Sequence, residues 1–109
     1  MATVYKVLGQ LGSALTTVET VYTVPAATSA VVSTITACNT NGTAVTVRIY
    51  VVKKGGTASV ANALHYDLPI QATDTFAITA GVTLGTGDMI RAYSSATNVC
   101  FMAFGSEVG

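Results

Sequence analysis

The sequence predicts an all-β fold, an antiparallel sandwich of about eight strands in which two sheets enclose one core. Three observations predict it. Apolar and polar residues alternate over short segments, as they do in strands with one buried face. β-Branched residues dominate these segments, and turn signals recur about every 8 to 12 residues. No segment shows a convincing helical period, and the 109 residues are expected to form a single domain, 1–109.

The strongest strand signal is the segment Thr43–Lys53 near the middle of the chain. One side of the extended chain is aliphatic and is expected to face the core: Val45, Val47, Ile49 and Val51. The opposite side consists of Thr46, Arg48, Tyr50 and Val52. The preceding turn, Asn39–Gly42, contains Asn-Gly, the strongest short hairpin signal. We therefore expect an antiparallel hairpin between this strand and the one before it.

Three further strands are predicted in the first half of the chain. Gly9 and Gly12 are expected to end the first of them, because glycines interrupt a strand pattern. Pro25 is expected to end the second, because proline has no backbone donor. The predicted strands are Thr3–Leu8, Thr16–Val24 and Ser29–Cys38.

Four strands are predicted in the second half. One helical turn fits the ambiguous segment around Ala58–Ala61, and Pro69 should lie at an edge or point outward. The chain either continues or bulges at Gly81. The last strand is apolar on both faces, so it is either buried on both sides or lies at a subunit interface. The predicted strands are Ala63–Ile70, Thr73–Thr79, Met89–Tyr93 and Val99–Phe104. A sandwich built this way is either a jelly roll or immunoglobulin-like.

The charge content is low. Charged residues make up 9% of the chain, with five Lys and Arg against five Asp and Glu, whereas ordinary domains have about 25%. A surface of Thr, Ser, Ala, Asn and Gly suits a domain packed against neighbours, and the alternative is a soluble monomer with a threonine-rich surface. Nucleic acid is not an expected partner, since Lys53-Lys54 is the only adjacent basic pair.

A membrane location is not expected either. No apolar run reaches the roughly 18 to 20 residues that span a bilayer. The start of the sequence lacks a basic segment followed by an apolar one, so we expect no secretory signal and synthesis in the cytoplasm.

Reactive side chains are sparse, and we expect no enzymatic activity, no catalytic residues and no bound cofactor. His65 is the only histidine, and it shares a strand face with Asp67, but no nucleophile motif accompanies them. Asp74 and Asp88 lie at strand starts, where aspartate commonly caps a turn. No calcium-loop pattern occurs, and the glycine-rich stretches are followed by no helix that would bind phosphate.

The two cysteines, Cys38 and Cys100, do not form a CxxC pair, and with His65 they do not complete a zinc site, so no metal is expected. The positions of these cysteines in the sequence are compatible with a disulfide between the two sheets. A cytoplasmic origin and the lack of tryptophan favour two buried thiols instead.

An interaction surface is the remaining functional feature. Alternation places Tyr50 and Tyr93 outward, on faces that they share with Arg48 and Arg91, and Tyr and Arg dominate interface energetics. Outward tyrosines are also ordinary on exposed sheets, and a carbohydrate-binding surface is a further alternative. The candidate interface residues are Tyr5, Arg48, Tyr50, Arg91, Tyr93, Met102 and Phe104.

Several segments resemble a known family. They are YKVLGQL, TTVETVYTVPAATSAVVSTITACN and LGTGDMIRAYSSATNVCFMAFGSEV, and they cover nearly the whole chain. In order and spacing they are similar to the small β-sandwich virion proteins of tailed bacteriophages, including cyanophages. The recurring elements are YKVLGQ, VYTVPAATSAVVST, GDMIR and FMAFGSE, and none of them carries chemistry.

The resemblance implies a non-enzymatic virion structural protein, assembled in the host cytoplasm. The expected role is a capsid cement or decoration protein that binds the outer capsid surface and stabilises it. Its partners would be the major capsid protein and copies of itself, with trimers favoured. The alternative is a small tail, baseplate or fibre component, or a carbohydrate-binding module for host attachment.

Overall fold

The computed structural model describes residues 2–13, 17–79 and 81–109 and shows two antiparallel sheets packed face to face. The described residues form nine strands: β1 (Thr3–Ser13), β2 (Glu19–Thr23), β3 (Ser29–Asn39), β4 (Val45–Val52), β5 (Ala63–Ile70), β6 (Thr75–Ile78), β7 (Val82–Leu84), β8 (Met89–Ser94) and β9 (Val99–Val108). A 3-10 turn covers Val60–Asn62. One sheet has the order β1-β9-β3-β6, with β7 also paired to β3, and the other has the order β2-β8-β4-β5.

The connections give the topology of a jelly roll. The chain changes sheet at almost every connection, and β4 and β5 are the only consecutive strands that pair with each other among the described residues. β6 and β7 pair with successive parts of β3, so together they act as one interrupted strand and each sheet has four. This arrangement is a double-sheet jelly roll, whereas the first two strands of an immunoglobulin domain share a sheet. The predicted all-β sandwich is confirmed.

The core lies between the sheets and is built from the alternating aliphatic positions. Phe101 on β9 is fully buried and belongs to the same apolar cluster as Val47 and Ile49 of the opposite sheet. The predicted inward side of β4 is confirmed for Val45, Val47 and Ile49, and Val51 packs at the margin of the core. Burying one such side chain fully is worth about 1.5–3 kcal/mol, so this layer is the main source of stability.

The outer side of β4 departs from the prediction. Tyr50 and Val52 are buried, with 4% and 0% of their surface exposed, although alternation places them outward. The segment after β4 folds back over this end of the sheet: the 3-10 turn contacts β4, and Gly56 lies against Val52. The expectation of an exposed Tyr50 is therefore wrong.

The expected hairpin between β3 and β4 is also wrong. The two strands belong to different sheets, so the turn Asn39–Gly42 crosses from one sheet to the other. Neither Asn41 nor Gly42 has the positive φ that a type I′ hairpin turn requires. The Asn39 amide instead anchors the crossing, because its Nδ2 donates to the carbonyl oxygens of Thr43 and Gln71 at 2.9 and 3.1 Å.

Two glycines allow strands longer than predicted. β1 runs through Gly9 with a bulge between Val7 and Gly9, so the expected break there is wrong. A Cβ atom on Gly9 would lie 2.0 Å from the carbonyl oxygen of Val21, and only glycine permits this close approach of β1 to β2. Gly105 plays the same role in β9, where a Cβ atom would lie 1.9 Å from the carbonyl oxygen of Val31.

Other boundaries agree closely with the sequence. β5 has the predicted bounds, the helical turn is present at Val60–Asn62, and Pro69 is exposed on an edge strand as expected. The register of β7 against β3 differs by one residue from that of β6, and Gly81 between them has a positive φ of 61°, so the strand does not continue unbroken here. The predicted turn and strand start at residues 14–16, and the position 80, lie outside the described residues. Within the described residues, no helix has the length and apolar character needed to cross a membrane.

Candidate interaction surfaces

The acidic and histidine side chains are used locally. Asp88 caps its turn as predicted, accepting hydrogen bonds from the backbone N–H groups of Gly85 and Lys54 at 2.9 and 3.0 Å, which lower its pKa. Asp74 accepts from the N–H of Thr75. The His65 ring packs edge-on against Phe76, with 5.6 Å between ring centroids. Among the described residues there is neither a pocket nor a group of three His, Cys, Asp or Glu side chains that could share a metal ion.

One candidate surface is a stacked cluster on the outer face of the β2-β8-β4-β5 sheet. The Arg48 guanidinium carbon lies 4.1 Å from the ring centroid of Tyr66 and 4.5 Å from that of Tyr93. Its Nε donates to Oδ1 of Asp67 at 2.6 Å. This hydrogen bond, with a weaker contribution from one to Tyr50, raises the pKa of Arg48. The cation thus holds both tyrosine rings in place through cation–π contacts.

A bulge in β5 builds this cluster. Val47 pairs with Leu68 and Ile49 pairs with His65, so Tyr66 and Asp67 both lie opposite Arg48. Asp67 adopts a positive φ of 54°, which Asp tolerates better than most residues. The extra residue turns Tyr66 outward, where 48% of its surface is exposed, instead of onto the side of Leu64 and Leu68. It also separates Asp67 from His65, which the sequence placed on a common face.

The predicted interface residues are therefore divided between two surfaces. Arg48 and Tyr93 belong to the stacked cluster, and Arg91 is half-buried beside it, donating from Nη2 to the carbonyl oxygen of Val18 at 3.1 Å. Tyr50 lies under the same face but is covered. The remaining three, Tyr5, Met102 and Phe104, lie on the outer face of the other sheet.

This second surface, which we call the uncharged face, consists of the outward residues of β1, β9 and β3. None of these outward positions carries a charged side chain. Tyr5, Val7 and Val31 are exposed by 83%, 48% and 39%, and half-buried apolar and sulfur-containing side chains continue the surface along β9 and β3. Those half-buried residues are Phe104, Met102, Cys100 and Cys38. Uncharged polar side chains lie between them, namely Gln10, Thr34, Thr36 and Ser106. A sheet face that exposes several apolar side chains and no charge is a candidate interaction site.

The charges on these strands point the other way. Lys6 and Glu107 lie on the inward side of β1 and β9, and Lys6 Nζ is 2.8 Å from Glu107 Oε1. The Tyr22 hydroxyl donates to Glu107 Oε2 at 2.5 Å. Hydrogen bonds from Lys6 and then Tyr22 lower the pKa of Glu107, while burial and this carboxylate raise that of Tyr22. The pair is neutralised within the chain and leaves the outer face free of charge.

The cysteines differ from the expectation. Cys38 and Cys100 are direct partners on neighbouring strands of one sheet, so a bridge between sheets is wrong. Both thiols are free, and both are half-buried on the uncharged face rather than enclosed in the core. Val7, Val31 and Tyr66 are surface residues that the sequence analysis did not single out. Strict alternation would place Val31 on the side of the buried Ile35 and Ala37, and the register shift between Val32 and Thr34 turns it outward instead.

Comparison with known proteins adds little. No protein family and no curated protein matches this sequence. The chain is similar to one chain of the solved structure of infectious bursal disease virus Gx strain, with 13% identity and a TM-score of 0.49. The similarity covers 97% of this chain and 31% of that chain.

Proposed function

We propose that this protein is a non-enzymatic structural component of a virus particle, and specifically a capsid cement or decoration protein of a tailed bacteriophage. The observation that carries the proposal is the uncharged face, a sheet surface that exposes apolar side chains and no charged one, on a domain with 9% charged residues. The resemblance of its segments to small phage virion proteins gives the setting. The jelly roll is compatible with it, since viral capsid domains and lectins both use this fold.

The mechanism follows from the chemistry of the face. Tyr5, Val7, Val31 and Phe104 can be covered by an apolar capsid surface without desolvating a charge, which is the costly part of many interfaces. Each copy then adds buried area across a seam between capsid subunits. Because many copies act on one shell, individually weak contacts sum to a large stabilisation.

The test uses phage heads assembled without this protein. Purified protein should co-sediment with expanded heads and raise their melting temperature. Thr36→Glu, which puts a charge on the uncharged face between Met102 and Ala77, should abolish binding. Thr20→Glu makes the same change on the outer face of the other sheet, opposite Arg91, and should bind like the wild type. The proposal is contradicted if the heads do not bind the wild-type protein, or if they bind the two variants equally well.

A second candidate is recognition of a host glycan by the stacked cluster. Tyr66 is half-exposed beside the Asp67 carboxylate and the Arg48 guanidinium, a combination that offers a ring face and polar partners to a sugar. Glycan binding should then be lost in Tyr66→Ala and retained in Val60→Ala, which removes another exposed apolar side chain. Loss of head binding in Thr36→Glu with no measurable glycan binding excludes this candidate.

A further inference from the structure

Exposed apolar residues are concentrated at the start of β1. All of residues 2–7 are exposed, and three of the large apolar side chains with high exposure lie here: Val4 at 50%, Tyr5 at 83% and Val7 at 48%. Within the part of the chain that the structure describes, β1 is an edge strand that pairs only with β9, so one side of its backbone has no strand partner there. Such an edge is a template for adding another strand.

The direction of the free backbone groups follows from the pairing. Ala2 and Gly109 exchange both of their backbone hydrogen bonds, each with an N···O distance of 3.3 Å. Antiparallel pairs alternate between bonded and non-bonded types, so Val4 and Lys6 also direct their backbone groups towards β9. The N–H and C=O groups of Thr3, Tyr5 and Val7 therefore point away from the sheet, into the open edge.

The other edges are less suited to strand addition. β5 contains the bulge at Tyr66–Asp67 and also Pro69, both of which obstruct pairing. β6 and β7 are short pieces of four and three residues, and β2 has five. β1 carries a lysine, a residue that often protects edges, but Lys6 points inward and its charge is neutralised by Glu107 at 2.8 Å.

We propose that two copies of this chain associate through the free edge of β1, antiparallel about a two-fold axis at Tyr5. In this register Tyr5 faces Tyr5 of the second copy, and Thr3 faces its Val7, so every outward donor meets an acceptor. Lys6 lies opposite Val4 of the second copy and diagonal to its Lys6, and each of the two lysines is neutralised by Glu107 of its own chain at 2.8 Å. The occupant is a second copy because the segment is complementary to itself and carries no outward charge that would select another partner.

The pairing extends the uncharged face. The two sheets join edge to edge into one continuous sheet, with the Tyr5 and Val7 side chains of both copies on the same outer surface. A contact between two such short segments is smaller than the roughly 1,200 Å² of a stable interface, so dissociation in the micromolar range is expected. The arrangement is two-fold and replaces the trimer that the phage resemblance implies. It does not depend on which particle surface the protein binds.

Analytical ultracentrifugation over a roughly hundredfold range of micromolar concentration tests the association. The wild type should shift from monomer to dimer. Tyr5→Lys, which places two cations side by side at the axis, should stay monomeric. Val7→Pro should do so too, because it removes an outward donor without breaking a bond to β9. Val60→Lys, a change at another exposed apolar residue, should dimerise like the wild type. A wild type that is monomeric throughout, or a Tyr5→Lys variant that still dimerises, overturns the proposal.

Cross-linking tests the register in a chain with Cys38→Ser and Cys100→Ser. Tyr5→Cys should be joined to itself by a short bismaleimide, and Val60→Cys should not. Thr3→Cys should link to Val7→Cys in a mixture and not to itself. Cross-linking of Thr3→Cys to itself would refute this register. Thr36→Glu lies on β3, two strands away from the edge, so it should dimerise like the wild type while it loses head binding, and the two proposals then fail independently.

Discussion

Replacing Asn39 by alanine tests the turn that carries the chain from one sheet to the other. Asn39 is fully buried, and its Nδ2 donates to the carbonyl oxygens of Thr43, Ile70 and Gln71 at 2.9, 3.3 and 3.1 Å. Its Oδ1 accepts from the backbone N–H of Asn41 at 2.9 Å. One side chain thus ties the end of β3 to the turn before β4 and to the turn after β5.

The size of the effect follows from the groups left behind. Alanine leaves the carbonyl oxygen of Ile70, a buried residue, and the N–H of Asn41 without these partners. A buried backbone group that loses its partner costs about 1–3 kcal/mol, and the more exposed carbonyl groups can bond to water. We expect the free energy of unfolding to fall by about 3 kcal/mol. For a domain of this size that is a decrease of roughly 10–20 °C in melting temperature.

Thermal and urea denaturation followed by circular dichroism measure this change, with Asn41→Ala as the matched control. Asn41 is only partly buried, and its Nδ2 donates to Asn39 Oδ1 and to the carbonyl oxygen of Thr97 at 3.1 and 2.7 Å. Its removal should cost about 1 kcal/mol, the usual net contribution of such bonds. If Asn39→Ala is no more destabilising than Asn41→Ala, the buried amide does not anchor the crossing.

Two further substitutions test packing and charge. Gly105→Ala should lower the free energy of unfolding by about 1–3 kcal/mol, because its Cβ would lie 1.9 Å from the Val31 carbonyl oxygen, whereas Gly12→Ala, with no atom within 4 Å, should be tolerated. Equal unfolding midpoints in urea would contradict this. The hydrogen bond from Lys6 holds the pKa of Glu107 below its ordinary 4.5, so the stability it contributes is present above pH 4.5 and is lost as pH falls through the lower folded-state value. Glu107→Gln should therefore have a lower free energy of unfolding than the wild type at neutral pH, and this free energy should fall less steeply as the pH is lowered. If the free energies of unfolding of the two proteins fall in parallel with pH, the Glu107 carboxylate does not contribute in this way.

Local patterns predict the strands well, because alternation reports burial directly. The bounds of β5 agree with the prediction, and those of β3 differ by one residue. Val99, Phe101 and Ala103 of β9 are buried while Cys100 and Met102 are less so, as their alternation indicates. The outer side of this strand is only half-buried, at Cys100, Met102 and Phe104, so the strand is not enclosed on both sides within the chain.

The assignment of strands to sheets could not be predicted in the same way. Asn-Gly after β3 is a strong local hairpin signal, but the outcome depends on Asn39, whose partners at Ile70 and Gln71 are distant in sequence. Glycines 9 and 105 are similar cases. Each of them lets two backbones approach closely. In the sequence, a glycine with this role cannot be distinguished from a glycine that ends a strand.

The stacked cluster shows a third limit of sequence reasoning. Arg48 opposite Tyr93 follows from the alternation of β4 and β8. Tyr66 and Asp67 join them only because β5 has an extra residue at this point, which depends on its register against β4. The burial of Tyr50 likewise depends on the path of the segment that follows β4. Alternation describes one strand, whereas bulges and covering segments are properties of the assembled sheet.

The number of copies of this protein in purified virus particles tests the central claim most directly. Quantitative mass spectrometry against the major capsid protein gives this number. A protein that covers a shell through its uncharged face should be present in hundreds of copies. Its absence from the particle would contradict a structural role in the virion, and a few to a few dozen copies would place it in the tail or baseplate instead of on the capsid.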